Sequence, residues 1–123
     1  MFRQTIKGIL LALLLGNVVY ASDATDVLKQ QEILSHKALK AYKNHQAVAL
    51  VKQIHNIKVK NHKLQKEVRD PEIKNLLVFL DVCLDEMRTT LKKPYSRDNA
   101  QIIADLSVSI KEGTHYVKRA LKI

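Results

Sequence analysis

The chain has 123 residues, of which 21 are Lys or Arg and 12 are Asp or Glu, and its formal net charge is +9. A single Cys excludes an internal disulfide framework and a Cys-rich zinc site, and three Gly without a Gly-rich fingerprint exclude the usual nucleotide-binding loops. Hydrophobic residues make up 46% of the chain, so it can build one small core and is not a disordered basic tail.

The N-terminus has the pattern of a secretory signal peptide. Two basic residues precede the apolar run 8–19, and small or branched residues lead to a cleavage point after Ala21. An uncleaved membrane anchor is the alternative, but a spanning helix needs roughly 20 apolar residues and this run is shorter. The sequence therefore predicts a signal peptide at 1–21 and a mature domain at 22–123, periplasmic or secreted, with a net charge of +7.

Beyond the signal peptide, the apolar residues recur with helical periodicity. Asp70 and Pro71 fit a helix cap followed by Pro at the first helical position, and apolar residues then repeat every three or four positions. Lys93 and Pro94 end that pattern, and Ser96 fits the cap of the next helix. These signals predict helices over about 23–43, 46–69, 71–93 and 97–122.

The join between the first two helices is the least marked boundary, because residues 43–45 contain neither Gly nor Pro. One continuous helix over 23–69 would be roughly 70 Å long. Half of that helix would then have no partner to bury its apolar stripe. A turn near Asn44 gives helices of similar length, so we expect an all-α, up-down-up-down four-helix bundle rather than a three-helix arrangement.

Two residues on the predicted helices call for an explanation. Gly113 falls on the apolar seam of the last helix, where it either allows a neighbour to approach closely or is a tolerated weak point. Cys83 lies beside the seam of the third helix. A buried thiol is expected there, with a disulfide between two chains, and hence a homodimer, as the alternative.

The positive charge is concentrated between Glu32 and Glu67, a stretch without an acidic residue. Four of its lysines lie on one side of the second helix, opposite the apolar seam: Lys52, Lys60, Lys63 and Lys66. This stripe is either a solvated face or a docking face for lipid headgroups, an envelope polymer or an acidic protein. Nucleic acid is not an expected partner, because the stripe has neither Arg nor interleaved aromatic residues.

No constellation of catalytic residues is evident. No two His have the i, i+3 or i, i+4 spacing of a metal site on one helix, and no Met lies near the start of the first helix to pair with a His at a haem. Asp81 and Asp85 have the spacing of a solvated helix face, and there is no Ser/His/Asp or Cys/His triad. We therefore expect no enzyme activity, no bound metal and no cofactor.

One stretch of the first helix resembles the N-terminal sensor domain of type IV pilus methyl-accepting chemotaxis transducers: it reads QEILSHK over 31–37 and is followed by Tyr42. Segments 70–74 and 94–100 also resemble bacterial members of that family. The resemblance implies an extracytoplasmic four-helix sensor bundle, related to nitrate-sensing domains in which an Arg on this helix binds the anion. Here Glu32 stands at that position, and a carboxylate there would repel an anion.

The sequence thus favours a non-enzymatic, sensor-like binding module that recognises a small ligand or a membrane or periplasmic protein partner. Since no transducing segment follows the bundle, the module is expected to present its ligand state to a membrane partner. For a small ligand, the resemblance implies a site around Ser35, Lys37 and Tyr42. The alternative is a basic periplasmic chaperone or envelope-binding protein that acts through the four lysines of the second helix.

Overall fold

The computed structural model describes the backbone from Lys7 to Ile123 and the side chains from Ala24 onward. Within those limits the chain is all-helical and contains no strand. Its helices are α1 Lys7–Lys43, α2 Val48–Glu67, α3 Pro71–Leu91 and α4 Arg97–Leu121. The predicted all-α class and the predicted number of helices are confirmed.

Local capping chemistry explains where α3 and α4 begin. Asp70 accepts a hydrogen bond from the backbone N–H of Glu72 at 2.8 Å, and Pro71 is the first helical residue, as predicted. Ser96 accepts a hydrogen bond from the backbone N–H of Asn99 at 3.0 Å and caps α4 in the same way. Both caps satisfy N–H groups that have no partner within their own helix.

Helix α1 is longer than predicted, because it begins at Lys7 rather than near residue 23. The Leu-rich run 8–19 contains no Pro, so no residue in it is barred from a helix interior. The predicted signal peptide at 1–21 and its cleavage point at Ala21 lie outside the residues whose side chains are described, and they stay predictions. In the part of the chain that the structure describes, no helix has both the length and the hydropathy that a membrane crossing requires.

The first two helices are separate, as predicted from the turn near Asn44. The chain reverses through His45, which has a left-handed backbone with a φ of 57°. The N–H of Gln46 bonds to the carbonyl of Ala41 at 2.8 Å, and the N–H of His45 bonds to the carbonyl of Tyr42 at 3.2 Å. This pair of bonds is a Schellman motif, whose left-handed position is usually Gly. Because His occupies it here, no Gly marks the turn in the sequence.

The helices form a bundle in which each one packs against the next and α1 packs against α4. Neighbours run in opposite directions: Tyr116, late in α4, reaches Glu72, early in α3. The core is one continuous cluster of buried side chains from the four helices. Its fully buried members include Leu28, Ile57, Leu84 and Ile110. The apolar seam predicted for α3 is buried along its whole length.

Gly113 marks a close contact between α3 and α4. A Cβ at this position would lie 2.9 Å from Cδ2 of Leu80, so the absence of a side chain lets the two helices approach. Cys83 is free and only 5% exposed. Burial, together with the charge of Glu86, raises the pKa of its thiol. The predictions of a close approach at Gly113 and of a buried thiol are confirmed.

Candidate functional site

An open groove lies at the end of the bundle where the α1–α2 turn meets the α3–α4 link. Its volume is about 440 Å³, which is within the range of small-molecule sites. Apolar side chains of α2 and α3 line it, among them Val48, Val51 and Leu91. The rings of Tyr42 and Tyr95 complete the lining on the side of the links.

Tyr42 holds the wall of this groove in place. Its ring centre lies 5.4 Å from that of Tyr95, and the ring of His45 approaches Tyr95 edge-on at 6.2 Å. The hydroxyl of Tyr42 donates a hydrogen bond to the carbonyl of Pro94 at 2.7 Å and accepts one from the N–H of Ser96 at 3.1 Å. One buried side chain at the end of α1 therefore fixes the link between α3 and α4.

Lysine side chains give the groove a positive charge. Lys52, Lys92 and Lys93 line it, and no Asp or Glu among the residues with described side chains does. Helix α2 begins here, and its capping residue Ala47 offers no side-chain acceptor to the first N–H groups. The N-terminus of a helix also carries partial positive charge. The groove therefore favours a negatively charged group placed beside an apolar one.

The structure brings one of the three predicted ligand-binding residues to this groove. Tyr42 lines it, although its hydroxyl is already bonded to the α3–α4 link. Ser35 donates instead to the backbone carbonyl of Glu32 at 2.6 Å, within its own helix. Lys37 is exposed on α1, and neither Ser35 nor Lys37 lines the groove.

Sequence reasoning missed the rest of the groove. In the sequence, Lys92 and Lys93 stand at the end of a predicted helix, where cations suit the C-terminus, and Val48 stands next to an unmarked turn. The one available signal is Tyr95, an aromatic residue between the helix-ending Pro94 and the helix cap Ser96, a position where a loop exposes a large ring. These residues come together only because the two links lie at the same end of the bundle.

Glu32, which stands where the resembling family has Arg, is engaged by α4. Its carboxylate lies 2.6 Å from Nε2 of His115 and 3.5 Å from Nζ of Lys118. The hydrogen bond from His115 is the main reason that the pKa of Glu32 is lowered, and the charge of Lys118 adds to it while desolvation opposes it. The carboxylate is therefore part of a cross-helix ion-pair cluster and lies outside the groove.

We expect Glu32→Gln to reduce the free energy of unfolding by roughly 0.5–1 kcal/mol near neutral pH, a small value because the side chain is partly solvated. The pKa of the carboxyl is lower in the folded state, so its stabilisation is complete above the ordinary value of 4.5 and is lost as the pH falls through the folded value. Urea unfolding at about pH 7 and about pH 3 measures this. The control is Glu112→Gln, an exposed carboxylate on the same helix as His115. A difference that is as large at the lower pH as it is at pH 7 would contradict the assignment.

The four lysines predicted as a stripe on α2 are all exposed, on the side of the helix that faces away from the core. Lys60 pairs with Asp26 of α1 at 3.0 Å, and this contact lowers the pKa of that carboxyl. Lys63 also makes an interaction. Lys52 lines the end groove, so the stripe and the groove share one residue.

Asp81 and Asp85 correct a sequence prediction, because they do not form a purely solvated face. Lys58 of α2 lies 3.3 Å from Asp81 and 3.2 Å from Asp85. The side chain of Asp81 is only 17% exposed, and His62 lies 3.0 Å from its second oxygen. The periodicity of α3 alone does not show that α2 presents a lysine and a histidine to this position.

A layer of buried polar side chains crosses the core. Gln31 of α1 donates to Thr114 of α4 at 3.1 Å and accepts from Asn61 of α2 at 3.0 Å, and all three side chains are fully buried. Gln65 donates in turn to Asn61 at 2.6 Å. The layer connects three helices by mutually satisfied hydrogen bonds.

Among the residues whose side chains are described, no three His, Cys, Asp or Glu groups are close enough together to hold a metal ion. Comparison with known proteins identifies no homologue: no protein-family model, curated protein or solved structure matches the chain. The resemblance to transducer sensor domains therefore stays a prediction based on the residues quoted for it.

Proposed function

We propose that this chain is a non-enzymatic binding module whose end groove takes a small amphipathic anion, a molecule with an apolar body and a carboxylate, sulfonate or phosphate head. The observation that carries the proposal is the lining of the groove. Apolar side chains such as Val51 and Leu91 lie beside three lysines, and the lining residues from the described part of the chain include no carboxylate.

The apolar body and the charged head of such a ligand each complement one part of the groove lining. Val48 is 75% exposed and Tyr95 is 45% exposed, so an apolar ligand body would remove hydrophobic surface from water. A charged head next to Lys52 or Lys92 would gain charge-assisted hydrogen bonds. A purely polar anion would leave the apolar surface wet, and a purely apolar molecule would hinder hydration of the lysines without pairing them.

The position of the groove supports a sensor-like role. It is lined by residues from the ends of α1 and α3, the start of α2 and the α3–α4 link, so a bound ligand would contact all of these segments at once. A ligand shifts a conformational equilibrium by its difference in affinity for the two states. In this proposal the chain is exported through the predicted signal peptide, and a membrane or periplasmic protein reads the ligand-dependent state of the bundle.

Binding of the fluorescent probe 8-anilinonaphthalene-1-sulfonate, displaced by decanoate, tests the proposal. We expect Val48→Asp to weaken probe binding by about tenfold, a change of roughly 1.4 kcal/mol, because it removes apolar surface and adds a repelling charge. Lys92→Gln is expected to weaken decanoate more than it weakens uncharged decanol.

Matched controls come from the same two helices. Val59→Asp on α2 and Lys74→Gln on α3 change the same residue types at exposed positions outside the groove. Circular dichroism checks that each variant keeps its helix content. Equal losses in the groove variants and in their controls, or no loss in either, would refute the proposal.

A further inference from the structure

The outer side of α1 and α2 forms a second surface, separate from the groove, which we call the basic face. Its lysines are all exposed: Lys29, Lys37 and Lys40 of α1 and Lys52, Lys63 and Lys66 of α2. No acidic residue occurs between Glu32 and Glu67. Asp26, at the edge of the face, is already paired with Lys60.

The ion pair between Asp26 and Lys60 shows how the two rows of lysines lie relative to each other. Positions 29, 33, 37 and 40 follow Asp26 at steps of three or four residues, so they continue along the same side of α1. Because Asp26 meets Lys60 across the helix contact, this side of α1 adjoins the lysine side of α2. Helix α2 has 20 residues, so the combined face is about 30 Å long.

Apolar side chains stand among the lysines of this face. Ile33 of α1 is 39% exposed and Val59 of α2 is 57% exposed. The segment 33–66 contains no Arg, and its one aromatic residue, Tyr42, is buried. The face therefore combines point-like positive charges with isolated aliphatic groups, and within this segment no Phe, Trp or exposed Tyr ring is offered to a nucleic-acid base.

We propose that the basic face binds the surface of an anionic lipid bilayer. Charge complementarity is the basis, since exposed lysines of two neighbouring helices oppose a surface that carries negative headgroups. Two antiparallel helices present their lysines over an elongated side that a planar surface can contact along its length. Aliphatic groups such as Val59 enter the headgroup layer while the lysines stay at the level of the phosphates.

This proposal can fail independently of the ligand groove. Lys40 and Lys66 belong to the basic face and do not line the groove, whereas Val48 and Lys92 line the groove. Lys52 lies on both surfaces, so it is left unchanged in the experiment. Variants of Lys40 and Lys66 therefore test the bilayer without altering the groove lining.

The experiment measures partition of the full chain onto phosphatidylcholine vesicles with and without about 30% phosphatidylglycerol. The readout is the ratio of the two partition coefficients, so any contribution of the apolar run 8–19 is common to all variants. We expect the double variant Lys40→Gln, Lys66→Gln to lower this ratio by about 25-fold, roughly fivefold for each lysine near an anionic surface. Raising the salt to several hundred millimolar is expected to weaken binding of the unmodified chain as the charges are screened.

The matched control is the double variant Lys74→Gln, Lys111→Gln, which removes the same charge from exposed positions on α3 and α4. The proposal predicts that this control keeps the ratio of the unmodified chain within about twofold. An equal loss in both double variants would mean that net charge alone drives binding, and would overturn the proposal. Absence of vesicle binding together with tight binding of DNA or of an acidic protein would also overturn it.

Discussion

Replacing Gln31 by Leu is expected to lower the free energy of unfolding by about 3 kcal/mol, a large fraction of the stability of a domain this small. The side chain of Gln31 is fully buried, and it bonds to Asn61 on one side and to Thr114 on the other. Leucine has a similar volume, so the loss comes from two buried polar groups that can no longer reach a partner or water.

A comparison of variants separates that cause from a packing defect. The triple variant Gln31→Leu, Asn61→Leu, Thr114→Val removes the three fully buried polar groups together and leaves only the partly exposed Gln65, so its loss is expected to be smaller than that of Gln31→Leu alone. Gln30→Leu is the matched control, because Gln30 is adjacent on α1 and its side chain bonds to the exposed carboxylate of Asp26 rather than to the core layer. Urea unfolding gives the free energies. A triple variant less stable than the single one would contradict the account.

Tyr42→Phe is expected to cost about 2 kcal/mol, although it removes a single oxygen atom. That oxygen bonds to the carbonyl of Pro94 and to the N–H of Ser96, and Tyr42 as a whole is only 3% exposed. Without the hydroxyl, the α3–α4 link loses its attachment to the end of α1. Because Pro94 and Tyr95 line the groove, the same change is expected to weaken binding of the anilinonaphthalene probe.

Hydrogen exchange provides a local measurement for this variant. The amide of Ser96 is expected to exchange faster in Tyr42→Phe, while amides in the middle of α3 change only by the global loss of stability. Tyr116→Phe is the control, since the hydroxyl of Tyr116 makes one long, exposed contact to Glu72 at 3.5 Å. We expect that control to change stability by less than about 0.5 kcal/mol. Equal effects of the two substitutions would show that the hydrogen bonds of Tyr42 to the α3–α4 link do not stabilise the fold.

The helices of this chain could be predicted because their signals are local. Asp70 with Pro71, and Ser96 after Pro94, act within one helical turn, and the structure has the caps at those positions. The turn after α1 was harder, because His45 takes a left-handed backbone that Gly usually adopts. The sequence predicts it only through the lengths of the helices and the need of each apolar stripe for a partner.

Of the candidate sites, the lysine stripe was the more predictable, since helical periodicity alone places its members on one side of α2. The pairing of those lysines was not predictable: Lys60 meets Asp26 of α1, and the neighbouring Lys58 turns towards Asp81 of α3. The groove was largely missed. Of the residues predicted to bind a ligand, only Tyr42 lines it, and Ser35 and Lys37 do not.

The sequence by itself determined an all-helical chain, the positions of the helix caps, the buried seam of α3 and an acid-free stretch rich in lysine. These properties depend on residues within a few positions of each other, so they can be predicted from the order of residues along the chain. Only the tertiary structure decided that Gln31 would meet Asn61 and Thr114 in the core, and that Tyr42 would meet Pro94 beside a groove. Residues thirty to eighty positions apart become neighbours only when the apolar stripes of all the helices are buried together, and no local pattern states which of them will face each other.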